Sequence, residues 1–249
     1  MRLTVVGSSG TFPGPASACS SYLVEHEGFR LMLDIGNGAI GTLQTAAGLF
    51  APDALIVSHL HGDHYLDLIP YTYARRYHPA GAAPTLPVYG PSKIREAITG
   101  AFSRDVDELI GETYDITAVD HDQKLSIGPF EVELRAVNHT IETYGMRVTA
   151  GGRTLAYSAD SSTCEPLIEL ARDADLFLCE ASYLDGEDNP PGVHLTGREA
   201  AEHATRADAH RLVLTHLVPW GDEARTLAEA TGRYDGEIRV ARPLDSYNI

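Results

Sequence analysis

The 249-residue sequence is poor in cysteine, in basic residues and in long apolar runs. Its three cysteines, Cys19, Cys164 and Cys179, are an odd number without CxxC spacing, which fits a reducing compartment better than a disulfide framework. No apolar stretch approaches the ~20 residues that cross a bilayer. The opening Met1-Arg2-Leu3-Thr4-Val5-Val6-Gly7 has too short an apolar part for a signal peptide and reads as a first strand. A cytosolic protein is expected. Lys and Arg total 19 against 35 Asp and Glu, a formal charge of −16. Such a surface repels phosphate backbones and anionic lipid, so stable nucleic-acid binding and membrane association are disfavoured. A small anion remains admissible where a metal or a helix terminus makes the potential locally positive. Low-complexity segments, internal repeats and a Pro/Ser-rich linker are also missing, so residues 1–249 read as one domain.

What is present is ordinary globular material, 43% hydrophobic and 22% charged. A chain of this length buries roughly 70% of its unfolded surface and needs no staple to form a core. Hairpin signals dominate early. Strands are predicted at Leu3–Gly7, Ser21–Glu25 and Phe29–Asp34, the last two around a Glu27-Gly28 turn. A short helix is expected at Ala39–Gly48, a buried strand at Asp53–Ser58 and a helix at Tyr65–Tyr77. Strand Leu86–Tyr89, helix Ser92–Thr99 and strands Tyr114–Val119 and Phe130–Val137 follow, then a hairpin of Tyr144–Thr149 and Thr154–Ser158 turning at Gly151-Gly152. Helices are predicted at Cys164–Arg172, Thr196–Thr205 and Asp222–Thr231, and strands at Leu176–Cys179, Arg211–Thr215 and Glu237–Ala241. The pattern indicates an α+β or α/β layered domain. His59, His139, Asp160 and His216 each stand shortly beyond an apolar strand-like run, so sheet packing can bring them to a common edge.

The strongest chemical signal is His59-Leu60-His61-Gly62-Asp63-His64. Imidazole and carboxylate are both ligands for divalent first-row ions, and Gly62 is expected to supply the turn that lets them converge. The competing reading of the cluster is a solvated His-rich loop. Alone, His139 and His216 are ordinary strand-end histidines, and Asp160 is a candidate helix cap.

Taken together, these residues resemble the metallo-β-lactamase fold superfamily of metallohydrolases. The likeness rests on His59-x-His61-x-Asp63-His64, His139, Asp160 and His216, and extends to Gly7-Ser8-Ser9-Gly10-Thr11 and Leu33-Asp34-Ile35-Gly36. It implies an αββα sandwich with a binuclear site at the sheet edge. By motif, His59, His61 and His139 would hold one metal, and Asp63, His64 and His216 the other, with Asp160 bridging. Nitrogen and oxygen donors without thiolate suit Zn²⁺, with Mn²⁺ or Fe²⁺ as alternatives. Two such ions ~3.5–4 Å apart can share a hydroxide of pKa roughly 7 and clamp an anionic oxygen, which favours a phosphodiester over a carbonyl substrate.

Cys179-Glu180-Ala181-Ser182 and His194-Leu195-Thr196 resemble segments of the phosphodiesterase branch that includes ribonuclease Z. The resemblance implies a catalytic group of His194, Glu180 and Asp63, in which Glu180 orients His194 and His194 assists the leaving alkoxide. The alternatives are a residue at a helix start for His194 and a surface carboxylate for Glu180. Ribonuclease Z carries a long tRNA-gripping arm between the counterparts of His139 and Asp160, whereas here a single hairpin joins them. Together with the acidic charge, this favours a small anionic phosphodiester. Including Phe12-Pro13-Gly14-Pro15, the chain resembles actinobacterial-type cyclic-nucleotide phosphodiesterases of this fold, which implies conversion of 3′,5′-cyclic AMP to 5′-AMP and a homodimer. The rival readings are a ribonuclease Z-like nuclease, a hydrolase of another small cyclic phosphate or ester, and a metal-binding domain without catalysis. Tyr71, Tyr73 and Tyr77 read as core, with base stacking as the alternative. Trp220 lines the pocket or packs in the core, and residues 185–192 form a surface loop or a lid.

Overall fold

The structure is a computed structural model and describes residues 1–103 and 105–249. The chain first builds one sheet from β1 (Arg2–Ser9), β2 (Ala18–Cys19), β3 (Ser21–His26) and β4 (Phe29–Leu33). Helix α1 (Ala39–Ala46), strand β5 (Ala54–Ile56), helices α2 (Gly62–Tyr65) and α3 (Leu68–Arg76), strand β6 (Leu86–Gly90), helices α4 (Ile94–Thr99) and α5 (Asp107–Thr113) and strand β7 (Tyr114–Ala118) follow. The second sheet comes from β8 (Lys124–Ile127), β9 (Phe130–Ala136), β10 (Tyr144–Ala150) and β11 (Arg153–Tyr157), then α6 (Glu165–Ala171), β12 (Leu176–Glu180), α7 (Gly197–Arg206), β13 (Arg211–Thr215), α8 (Glu223–Ala230) and β14 (Glu237–Val240). Strand β15 (Ser246–Asn248) returns to pair antiparallel with β1. The strand orders are β15-β1-β3-β4-β5-β6-β7, with β2 also on β1, and β14-β13-β12-β11-β10-β9-β8.

The period of two in the strands dictates the layers. In β3, Tyr22 and Val24 face the space between the sheets while Leu23 joins the outer helical layer, and in β4 Leu31 and Leu33 face in while Met32 faces out. In the second sheet, Leu176, Leu178 and Val213 face the first, whereas Phe177, Cys179, Leu212 and Leu214 meet α6 and α7. The inter-sheet core therefore lies between two helix-covered outer faces, an αββα sandwich. No helix among the described residues is long and apolar enough to cross a membrane.

Three local expectations are corrected. The helix predicted over Tyr65–Tyr77 is broken into α2 and α3, with Asp67 at the break accepting from the Gly38 and Ile40 backbones. Gly62 takes no left-handed conformation, so no turn there depends on glycine's backbone freedom; a Cβ would meet only the Leu66 side chain, 2.7 Å from its Cδ1. Asp160 does not cap α6, whose N-cap is Cys164.

Candidate metal centre and active site

Strand ends deliver the polar residues to one edge of the sandwich. β5 leads into Ser58 and His59, β9 toward His139, β11 into Asp160, and β13 directly into His216. Their donor atoms converge in two sets that share one carboxylate: His59, His61, His139 and Asp160, and Asp63, His64, Asp160 and His216, with the ligand atoms of each set within 4.8 Å of one another. Around Asp160, His59 Nε2 lies at 3.5 Å, His64 Nε2 at 3.1 Å, His216 Nε2 at 3.2 Å and His139 Nε2 at 3.9 Å. Asp63 Oδ2 stands 3.6 Å from His216 Nε2 and 3.8 Å from His64 Nε2. Donors about 2.0–2.2 Å from a tetrahedral ion are roughly 3.3–3.6 Å apart, so this spacing suits a metal.

The buried polar inventory supports the same fit. His59 Nε2, His64 Nε2 and Asp160 Oδ1 are buried without a hydrogen-bond partner, an arrangement that costs free energy unless something coordinates them. His61 Nδ1 faces His139 Nε2 at 3.1 Å. The far nitrogens are tied down. His59 Nδ1 contacts Ser58 Oγ at 3.0 Å, His64 Nδ1 contacts Asp34 Oδ2 at 2.8 Å, His139 Nδ1 contacts the Val193 carbonyl at 2.9 Å, and His216 Nδ1 contacts Ser20 Oγ at 2.7 Å. Such partners fix ring orientation and leave Nε2 for an ion.

Asp34 organises more of this shell than any other residue. Its Oδ1 accepts from the Ser58 N–H at 2.7 Å, and its Oδ2 accepts from Ser58 Oγ at 2.8 Å and Tyr157 Oη at 2.6 Å as well as from His64. Burial and the Asp34 charge push the Tyr157 phenol well up, so it remains a donor. Sequence reasoning quoted Asp34 without giving it this task and did not single out Ser20 or Ser58. An acid at the end of a buried strand is the signal that was available.

The backbone is strained at the same place. Among the positive-φ residues other than glycine are Thr11 (φ 67), Asp34 (φ 57), Ala159 (φ 53), which precedes Asp160, and His216 (φ 57). Such conformations cost about 1–3 kcal/mol each and persist where the surroundings enforce them. The Thr11 N–H donates to Asp63 Oδ2 at 2.6 Å, which explains the opening motif. At Gly10, a Cβ would approach the His216 carbonyl oxygen to 2.5 Å.

Charge states follow from burial and neighbours. Burial pushes His59, His61 and His139 below 6.5, leaving neutral rings with free lone pairs. His64 is also buried, which opposes its charged form, but Asp160 and Asp34 outweigh this and raise it well above 6.5. Burial opposes ionisation of Asp160 as well, and the surrounding His216, His64 and His59 nevertheless hold it well below the usual carboxylate range.

His194 stands beside both sets. Its Nδ1 is 2.8 Å from Glu180 Oε1 and 4.0 Å from Asp160 Oδ2. Burial lowers its affinity for a proton, but the Glu180 carboxylate, its hydrogen bond, and Asp160 and Asp63 reverse this and raise the ring to about 9. Glu180 is fully buried, not a surface group, and also accepts from the Ser161 and Ser182 backbones. Asp160, Glu180 and His194 form a third converging group. His194 is not part of α7, which starts from a capping box of Thr196 and Glu199.

The remaining candidates divide. Tyr71 is buried and donates to the Leu49 carbonyl, while Tyr73 and Tyr77 stack on one another at 6.0 Å on the surface. Trp220 is exposed and lines a cavity with His194. Residues 185–192 form a wall of that region tied by Arg198–Asp185 (2.9 Å) and Arg225–Glu187 (2.7 Å).

The family model described as "Beta-lactamase superfamily domain" matches residues 30–217. The chain belongs to the metallo-β-lactamase superfamily. Within it, the chain is 38% identical to a Mycobacterium tuberculosis protein over 254 residues, covering 100% of this chain and 92% of that one. It is 31% identical to the probable metallo-hydrolase YhfI of Bacillus subtilis, with 97% of each chain covered. The crystal structure of YhfI superposes with a TM-score of 0.88 at 29% identity, covering 99% of both. Ribonuclease Z of Haloarcula marismortui is 29% identical, with 97% of this chain and 94% of that one covered. This superfamily fold implies divalent metal ions, and its His/Asp edge in this chain has the donors to bind them.

Proposed function

We propose that the protein is a phosphodiesterase of small substrates that converts 3′,5′-cyclic AMP to 5′-AMP. It would hold two divalent ions, zinc by its donor chemistry with manganese or iron as alternatives. His59, His61 and His139 would bind one ion, Asp63, His64 and His216 the other, and Asp160 both. When bound, the ions supply Lewis acidity, bringing water into ionisation near pH 7 and offsetting phosphate charge. The observation that carries the reading is the Glu180–His194 pair at 2.8 Å beside the shared Asp160.

The chain's own residues account for the proton that a diester requires. Glu180 accepts a hydrogen bond from the Nδ1–H of His194 and fixes the ring, and the raised affinity keeps the ring charged at neutral pH. His194 then holds a proton at Nε2 for the departing alkoxide, assistance worth ~10²–10⁴-fold. A small substrate is supported by the hairpin of β10 and β11, which closes at the Ala150–Arg153 pair and carries no arm. The likeness to ribonuclease Z favours a second reading, a nuclease that cuts structured RNA.

The test is chromatographic product analysis after mixing Mn²⁺- or Zn²⁺-loaded protein with 3′,5′-cyclic AMP, beside a His61→Ala sample. 5′-AMP from the intact protein alone establishes the reaction. No product with metal bound removes cyclic AMP as the substrate and turns attention to a generic phosphodiester and then RNA.

A further inference from the structure

The cavity lined by His194 is also lined by the chain's only tryptophan. Trp220 is 75% exposed, yet its indole is placed: Phe12 packs on it with ring centroids 4.6 Å apart and 32° between planes. Both aromatics sit on segments fixed to the metal edge. Phe12 follows Thr11, which holds Asp63, and the Gly10 N–H donates to the Leu217 carbonyl at 3.1 Å in the segment running from His216 to Trp220. The cavity measures about 440 Å³ and is also lined by Tyr183, Glu187, Asn189 and Asp222, within the size range of small-ligand sites. Its acids are already engaged. Glu187 pairs with Arg225 at 2.7 Å, and Asp222 accepts from the Arg225 N–H at 3.0 Å as the cap of α8. The Arg225 guanidinium thus offsets the Glu187 charge on this wall.

We propose that Trp220, backed by Phe12, is a stacking shelf for a nucleobase, so that the substrate class of this site is the nucleotide phosphodiester. The inference rests on the phosphodiesterase reading above. A solvent-open indole loses little by accepting a planar ring, and a heterocycle on the shelf lies in the cavity that His194 lines. Stacking uses the face of the base and tolerates its identity, so the shelf selects nucleotides over baseless diesters more than one base over another.

The experiment follows Trp220 fluorescence of the metal-loaded protein during titration with 5′-AMP and, in parallel, ribose 5-phosphate, with calorimetry of both probes on the protein and on Trp220→Ala. Saturable quenching by 5′-AMP but not by ribose 5-phosphate, with a roughly 5- to 150-fold weaker Kd for 5′-AMP in Trp220→Ala, is expected from a stacking contact of ~1–3 kcal/mol. Trp220→Phe should recover most of that loss. Equal binding of the two probes with unchanged fluorescence overturns the shelf while leaving phosphate binding intact. No binding of either probe to the metal-loaded protein overturns the nucleotide assignment as a whole. A Trp220 signal that follows protein concentration instead of 5′-AMP, with Trp220→Ala altering the mass in light scattering, would make the shelf a contact between two copies and overturn the proposal.

Discussion

Replacing Asp34 by Asn removes one charge with almost no change in volume, and the hydrogen bonds of this residue define what must follow. Oδ1 receives the Ser58 N–H at 2.7 Å, a donor with no alternative role, so the amide oxygen of Asn must occupy that position. The NH₂ group then faces Ser58 Oγ, Tyr157 Oη and His64 Nδ1, all donors to the native carboxylate. Both hydroxyls can rotate and accept. His64, which must be neutral to hold an ion, can then accept only with its remaining proton on Nε2, the atom that points at Asp160 from 3.1 Å, and a protonated Nε2 has no lone pair for an ion. Loss of such a supporting partner typically costs 10–100-fold in metal affinity, which is about 1.4–2.7 kcal/mol. The loss should fall on the Asp63, His64 and His216 set and spare the His59, His61 and His139 set. Competition of Asp34→Asn against a chelating indicator, with metal content after dialysis and histidine nitrogen shifts to read the tautomer, checks this. Metal affinity within threefold of the parent, with His64 still protonated at Nδ1, would refute the reasoning.

Three further outcomes are expected. His194→Ala should keep its metal and lose ~10²–10⁴-fold in turnover, whereas His61→Ala should lose metal and activity together; full turnover in His194→Ala would remove the proton-donor role. Because His64 lies well above 6.5 in the metal-free protein, ion binding at its set must displace a proton, so affinity there should rise with pH by up to about tenfold per unit. The set built on His59, His61 and His139, pushed below 6.5, should change little above neutrality, and calorimetry in buffers of different ionisation enthalpy separates the two. Arg198→Ala combined with Arg225→Ala should speed proteolytic cleavage within residues 185–192 while shifting global stability by no more than ~1–2 kcal/mol, since both ion pairs are partly solvated; unchanged cleavage would show that the pairs do not hold the wall.

The residues that converge at the sheet edge were legible because strands carry them. Apolar runs ending in His59, Asp160 and His216 mark both the strand and the direction in which it delivers its ligand. Other elements lacked such a signal. β8 buries only Ile127 of its four residues, α5 buries only Ile110 and Thr113 of seven and includes Gly111, and β15 spans three residues, so neither periodicity nor length distinguished them from loops. Asp34 and Ser20 act across large sequence separations, on Tyr157 and His216, and no local pattern encodes a partner that only the packing of two sheets supplies. Trp220 was ambiguous for a related reason. An aromatic residue near a ligand packs inward or outward according to what covers it, and the position of Phe12 became visible only in the fold.

The polar contacts that cross between the sheets bear on how the protein acquires its ions. Tyr157 on β11 reaches Asp34 beyond β4, Tyr22 on β3 meets Thr215 on β13 at 2.7 Å, and His216 meets Ser20. An apolar sandwich held by side-chain shape alone can slip, but these pairs key one sheet to the other in a single alignment, and none of them needs an ion. The chelated chain should therefore keep the hydrogen-exchange protection of β11 and β13, and widespread loss of that protection on chelation would show the keying to be too weak. A site that outlasts its ions can exchange them without refolding. If protection survives chelation, the supply of ions in the surroundings would join ligand type and geometry in deciding which metal the site takes up.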